Sequence, residues 1–144
     1  MATSNAATNY LERRLLHFLF KNNSLSFSSP GDSIYVGLCT AVSAAETGSV
    51  TEASFSGYAR QQVAAASWTT IGADSTDTQT AKNTSAIEFP AKADSGNVTI
   101  THVFIADASS SGNILFVGAL DASKTLAQND IFRINATNLS IELK

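Results

Sequence analysis

Two histidines, one cysteine and twelve carboxylates are the side chains here able to move a proton, attack a carbon or hold a metal. Serine is abundant, but none sits in the G-x-S-x-G turn that exposes a nucleophile at the end of a strand. His102 lies between Thr101 and Val103 in a β-branched run, where a structural or interface role is expected. His17 falls on the Arg13, Arg14 and Lys21 side of a helical pattern and is expected to meet solvent or a partner, not to shuttle protons. Cys39 is out of phase with Ile34, Val36 and Leu38, so it reads as a small buried hydrophobe with nothing nearby to lower its pKa. Asp74 and Asp77 resemble a hard-cation loop only loosely and lack EF-hand spacing, and Asp94-Ser95-Gly96-Asn97 reads as a tight turn. Glu46, Glu52, Glu88 and Glu142 are scattered and form no glycosidase pair. There is no P-loop and no G-x-G-x-x-G; Gly37, Gly57, Gly112 and Gly118 read as bulge or turn residues. The Asn-x-Ser/Thr triplets at Asn22, Asn83, Asn97, Asn135 and Asn138 are expected by chance in so Asn- and Ser-rich a chain. No catalytic residue, cofactor or metal ligand emerges, and an enzyme is not expected.

The composition points the same way. The chain has 144 residues, a net charge of −3 and only 15% charged residues, against the usual ~25%. Ser and Thr make up about a quarter of it, so the surface must be largely hydroxyl and amide. A nucleic-acid binder would carry a basic stripe, and a disordered chain would have fewer apolar residues and more net charge. The single cysteine excludes an internal disulfide framework. No apolar run reaches the ~18–20 residues of a membrane span, and Met1–Thr8 lacks the basic start of a signal peptide. Neither a nucleic acid nor a membrane is expected as a partner.

The elements that must position any working surface come next. Residues 1–8 read as a flexible arm, and residues 9–144 as one domain opening with a helix over 9–22. Asn9 with Glu12 makes a capping box, and Leu11, Leu15, Phe18 and Leu19 form one apolar stripe. Leu16 and Phe20 widen that stripe until the short helix is apolar nearly all round, which demands partners on two sides: its own domain and a neighbour. Beyond it, Ile34–Cys39, Tyr58–Val63, Ile87–Phe89, Val98–Ile105, Ile114–Leu120, Ile131–Ile134 and Leu139–Leu143 read as short strands. The stretches 41–56, 72–85 and 121–130 read as polar connections. About seven or eight short strands at this spacing predict a mainly β fold, an antiparallel β-sandwich of jelly-roll-like type with one N-terminal α-helix. No fixed-period repeat is present.

Several segments in this order resemble a known family: Asn9-Tyr10-Leu11-Glu12, Ile34–Thr40, Tyr58-Ala59-Arg60-Gln61, Ile87-Glu88-Phe89-Pro90, Val103–Ala108, Asn113–Leu120, then Lys124 and Asn129-Asp130. Together they resemble small tailed-bacteriophage virion proteins, commonly labelled tail-fibre-like, over about Asn9 to Leu143. The resemblance implies a non-enzymatic virion structural protein, made in the host cytoplasm and carried on the particle exterior.

Physical reasoning adds a placement. An elongated shaft needs repeats, and none is present; a compact β domain suits a lattice. A capsid decoration (cement) protein that stabilises the shell exterior is therefore the first expectation, with itself and the major capsid protein or other virion proteins as partners. Arg13, Arg14 and the arm are expected to touch the lattice, and Leu15, Phe18, Leu19 and Phe20 to serve helix docking and subunit packing. The alternative is a tail-associated fibre, knob or adaptor that binds a host surface glycan. In that case loops 41–56 and 72–85 carry recognition, with Trp68 or Tyr58 stacking on a sugar unless both belong to the core.

Overall fold

The computed structural model describes residues 6–21, 34–69, 71 and 79–143. In chain order its elements are β1 (Ala6–Ala7), α1 (Asn9–Lys21), β2 (Tyr35–Ala44), β3 (Ser49–Glu52), β4 (Gln61–Gln62), β5 (Gln79–Lys82), β6 (Ile87–Glu88), β7 (Val98–Ala106), β8 (Ile114–Leu126), β9 (Arg133–Ile134) and β10 (Ser140–Leu143), with one 3-10 turn at Ala65–Ser67. The main sheet runs β1-β8-β7-β2-β3, with β4 also on β2; all its pairings are antiparallel. Two ribbons, β5/β10 and β6/β9, complete a layered, mainly β fold with one α-helix among the described residues.

Alternation divides the sheet into two faces. Val36 and Leu38 of β2, Ile100 and Val103 of β7 and Leu126 of β8 share a core with Ile87, Phe89, Phe132, Ile134 and Leu139 from the ribbon side. The opposite face holds Cys39, Phe104, Ala106 and Val117. A bulge between Ile100 and His102 resets the alternation, which is how Ile100 and Val103, three positions apart, reach one core.

Strand boundaries differ from the sequence expectation where side chains are small and polar. The stretch 41–56 is no long loop: β2 continues to Ala44, turns over 45–48 and returns as β3. Ala, Ser and Thr at an edge give no apolar alternation, yet their backbones pair and the Ser43 and Ser49 hydroxyls meet at 2.7 Å. Likewise β8 runs through Asp121 to Leu126, because β7 pairs with it down to Val98↔Leu126. Of Tyr58–Val63 only Gln61 and Gln62 are strand. Gly37 is neither bulge nor turn: it is a strand residue opposite Phe104.

The helix cap also differs. Thr8, not Asn9, closes α1: its Oγ1 accepts from Leu11 N–H at 3.4 Å and donates to the Ile114 carbonyl at 2.6 Å. Thr8 is buried and its own N–H reaches the Leu115 carbonyl at 2.9 Å. Of the arm expected over 1–8, residues 1–5 lie outside the described residues, and Ala6–Ala7 pair with Phe116 and Val117 of β8. The predicted helix end at Asn22 lies outside them as well.

Candidate functional site

Cys39 of β2 and His102 of β7 lie opposite each other in the main sheet. Burial, reinforced by the nearby Glu52 charge, pushes the Cys39 thiol up to about 12, so it stays protonated and inert. His102 is half-buried, which moves its pKa down, and its Nδ1 lies 2.8 Å from the Thr101 hydroxyl. No group of three metal-ligating side chains exists among the described residues, and Asp74 and Asp77 lie outside them. No helix is long and apolar enough to cross a membrane among those residues.

One polar constellation escaped the sequence reading. Arg60 forks onto Glu52, with Nε to Oε1 and Nη2 to Oε2 both at 2.8 Å. Its Nη1 donates to the Ala108 and Ser111 carbonyls, each at 2.8 Å. Tyr58 donates to Glu52 Oε1 at 2.9 Å and accepts from Leu38 N–H at 3.0 Å. Burial raises the Glu52 pKa, but the Arg60 and Tyr58 hydrogen bonds outweigh it and hold the carboxyl below its ordinary 4.5. These groups are satisfied by one another, which marks a clamp between β3, the segment after it and the β7–β8 turn, not a substrate site. Tyr58 is half-buried and packs against the core, 5.3 Å from the Phe55 ring and 6.2 Å from Phe89. Trp68 is half-buried against that core and bridges to Asn83. Both aromatics named for sugar stacking are thus half-buried and pack against the core.

A groove of about 940 Å³ runs beside β8, with Leu120, Phe132 and Ile134 among its lining and Asp121, Lys124 and Arg133 along it. Its charges are of both signs.

The surface that stands out is α1. At about 100° per residue, its Leu and Phe side chains cover an arc of roughly 200°. No residue of α1 is buried. Tyr10, Leu11, Arg14 and His17 are half-buried, and the Arg14 guanidinium lies over the Tyr10 ring at 5.3 Å. The opposite side is turned out: Leu15, Leu16, Phe18, Leu19 and Phe20 are 44%, 56%, 49%, 59% and 75% exposed. That reverses the ordinary amphipathic arrangement, in which the apolar stripe faces the core. Thr8 fixes the start of the helix to β8, and the Asn9 N–H adds a 2.6 Å bond to the Glu46 carbonyl.

A family model described as podophage GP4 fiber I protein gp80 matches residues 6–142. The chain belongs to this family. As a fiber I family member it is a phage virion structural protein, in agreement with the tailed-phage resemblance of its segments. No curated protein gives a significant match.

In this member of the family, all six residues expected at an interface lie on α1. Leu15, Phe18, Leu19, Phe20 and Arg13 are exposed together, whereas Arg14 is half-buried over Tyr10. Leu16, outside the residues expected at an interface, is among the most exposed. Thr8, expected to belong to a lattice-touching arm, is buried and sets the helix in place; its role as cap is the second residue missed. A Thr immediately before the apolar-periodic run was the available signal for the second, since Thr competes with Asn as a cap.

Proposed function

We propose that this protein is a non-enzymatic subunit of a phage fibre assembly on the particle exterior, and that α1 is the element that docks it to other virion proteins. The observation that carries the reading is the outward apolar side of α1 on a chain of a fibre family. Exposed apolar patches of several hundred Å² mark interaction sites, and Arg13 at the rim supplies a charge for orientation. The low charge of the surface suits contacts that resist salt, since apolar and hydrogen-bonded interfaces are screened less than ionic ones. The same helix on a compact domain without repeats also supports the second reading, capsid decoration, in which the shell is the neighbour.

Quantitative mass spectrometry of purified particles separates the two. A copy number of a few per hundred major capsid proteins supports the fibre assignment. A simple symmetric ratio to the capsid protein, such as one to one, moves the protein to the shell. Absence from particles overturns both.

A further inference from the structure

We infer that residues 1–5 continue β1 as a strand along the β8 edge of their own chain and close the groove beside it. The inference is independent of the reading of α1 as a docking element, and it gives the N-terminal arm an intramolecular partner. Register, groove and edge chemistry each select this occupant.

β1 pairs with β8 antiparallel, Ala6 opposite Val117 and Ala7 opposite Phe116. Among the described residues this pairing stops at Val117, whereas β8 runs on to Leu126. The same ladder, stepped toward the N-terminus, sets Asn5 against Gly118, Ser4 against Ala119, Thr3 against Leu120 and Ala2 against Asp121. Its phase is fixed too. The Thr8 N–H donates to the Leu115 carbonyl at 2.9 Å. Alternate pairs exchange main-chain hydrogen bonds, so Ala6 with Val117, Ser4 with Ala119 and Ala2 with Asp121 are the bonded ones. Five extended residues reach about 17 Å.

The groove of about 940 Å³ begins at Ala6 and Ala7 and follows β8 from Gly118 to Lys124. A chain that leaves Ala6 in the strand direction enters it. Ala6 packs with Val117 on one sheet face, and Leu120 packs against the opposite core. Alternation therefore puts Thr3 on the Leu120 side, where the groove has an apolar lining that includes Ile131, 54% exposed. The edge itself calls for cover. An open strand edge recruits foreign chains, and proteins guard it with charge or with another segment. Asp121 and Lys124 are exposed and guard the far part of β8. Gly118, Ala119 and Leu120 carry no charge, so this part of the edge calls for a covering strand. Residues 1–5, Met-Ala-Thr-Ser-Asn, have no ionisable side chain to desolvate there.

Amide exchange and a designed disulfide test the inference. The Ala119 and Asp121 N–H groups are expected to exchange about tenfold or more faster in a chain lacking residues 2–5 than in the full chain, while β7 stays protected. Ser4→Pro removes a ladder donor and is expected to speed the same two amides. Thr3→Pro removes an N–H that points away from β8 and is expected to leave them within about twofold. Thr3→Cys with Leu120→Cys places the thiols at a non-hydrogen-bonded pair, with Cα atoms about 4.5 Å apart, and is expected to oxidise within one chain. Thr3→Cys with Lys124→Cys is out of register and is expected not to. Cys39 is buried and does not compete. Equal exchange at Ala119 and Asp121 with and without residues 2–5, or no disulfide between positions 3 and 120, overturns the inference. A disulfide that joins two chains overturns it in favour of strand exchange between copies. Protection at Ala119 and Asp121 that arises only in assembled particles overturns it in favour of a strand from another virion protein.

Discussion

Replacing Gly37 by alanine tests the packing of the second sheet face. A Cβ on Gly37 would lie 2.2 Å from Phe104 Cζ and 2.4 Å from Cε1, where ordinary contact begins at 3.4 Å. The ring tip must therefore retreat by more than an ångström. Phe104 is 1% exposed, so there is no solvent for it to move into. The Arg60 guanidinium lies over the same ring, 4.9 Å from its centroid, and is itself held by Glu52 and two carbonyls. Overpacking of this kind costs about 1–3 kcal/mol, and disturbing the cation–π contact adds about 1 kcal/mol. Gly37→Ala is thus expected to lose about 2–4 kcal/mol, read as a lower midpoint in urea unfolding with an unchanged slope. The cause is checked by a double-mutant cycle with Phe104→Ala, which removes the obstructing ring. Phe104→Ala alone costs about 3–5 kcal/mol, and the pair is expected to cost at least ~1 kcal/mol less than the sum. Stability within about 0.5 kcal/mol of wild type for Gly37→Ala, or strict additivity in the cycle, refutes the reasoning.

Other outcomes follow from the clamp, the thiol and the cap. Glu52 titrates below its ordinary 4.5 in the fold, so its stabilisation is complete above that pH and is lost as pH falls through the lower folded value. Glu52→Gln should be less stable at pH 7 and lack that acid step, measured by urea midpoints between pH 7 and 3. Arg60→Met should cost about 3 kcal/mol or more, because it leaves Glu52 without its partner and two carbonyls without a donor. Cys39, raised to about 12, should resist a disulfide reagent at pH 8 in the folded protein and react at once in urea. Thr8→Val keeps the shape but deletes both hydroxyl bonds; a loss of about 1–2 kcal/mol is expected. It should also accelerate amide exchange in α1 while β7 and β8 stay protected, and equal exchange in α1 of both proteins contradicts the anchoring role.

The mainly β class and the unusual helix were legible in the chain. Local rules suffice for them: β-branched residues alternate along the longer strands, and the Leu and Phe positions of α1 repeat within four residues. The strands β7 and β8 were found wherever β-branched residues alternate. What failed was the polar half of β8, residues 121–126, the β2–β3 hairpin, and β5, which lies in the stretch 72–85 expected to be a polar connection. Their backbones are held by partners distant in sequence, and Ser, Thr and Ala carry no periodic signal of that pairing. The Tyr58–Glu52–Arg60 clamp carries no motif spacing, and its far side was invisible for the same reason: Arg60 meets Ala108 and Ser111, 48 and 51 residues away.

The sequence by itself determined that α1 is apolar around most of its circumference. It could not determine which side would be left outside. The tertiary structure decided that, because Thr8 is buried against β8 and aims the helix so that Tyr10, Arg14 and His17 lie half-buried while Leu16, Leu19 and Phe20 point outward. Composition fixes how much apolar surface a helix has; only the anchor at its end fixes the direction in which that surface is offered.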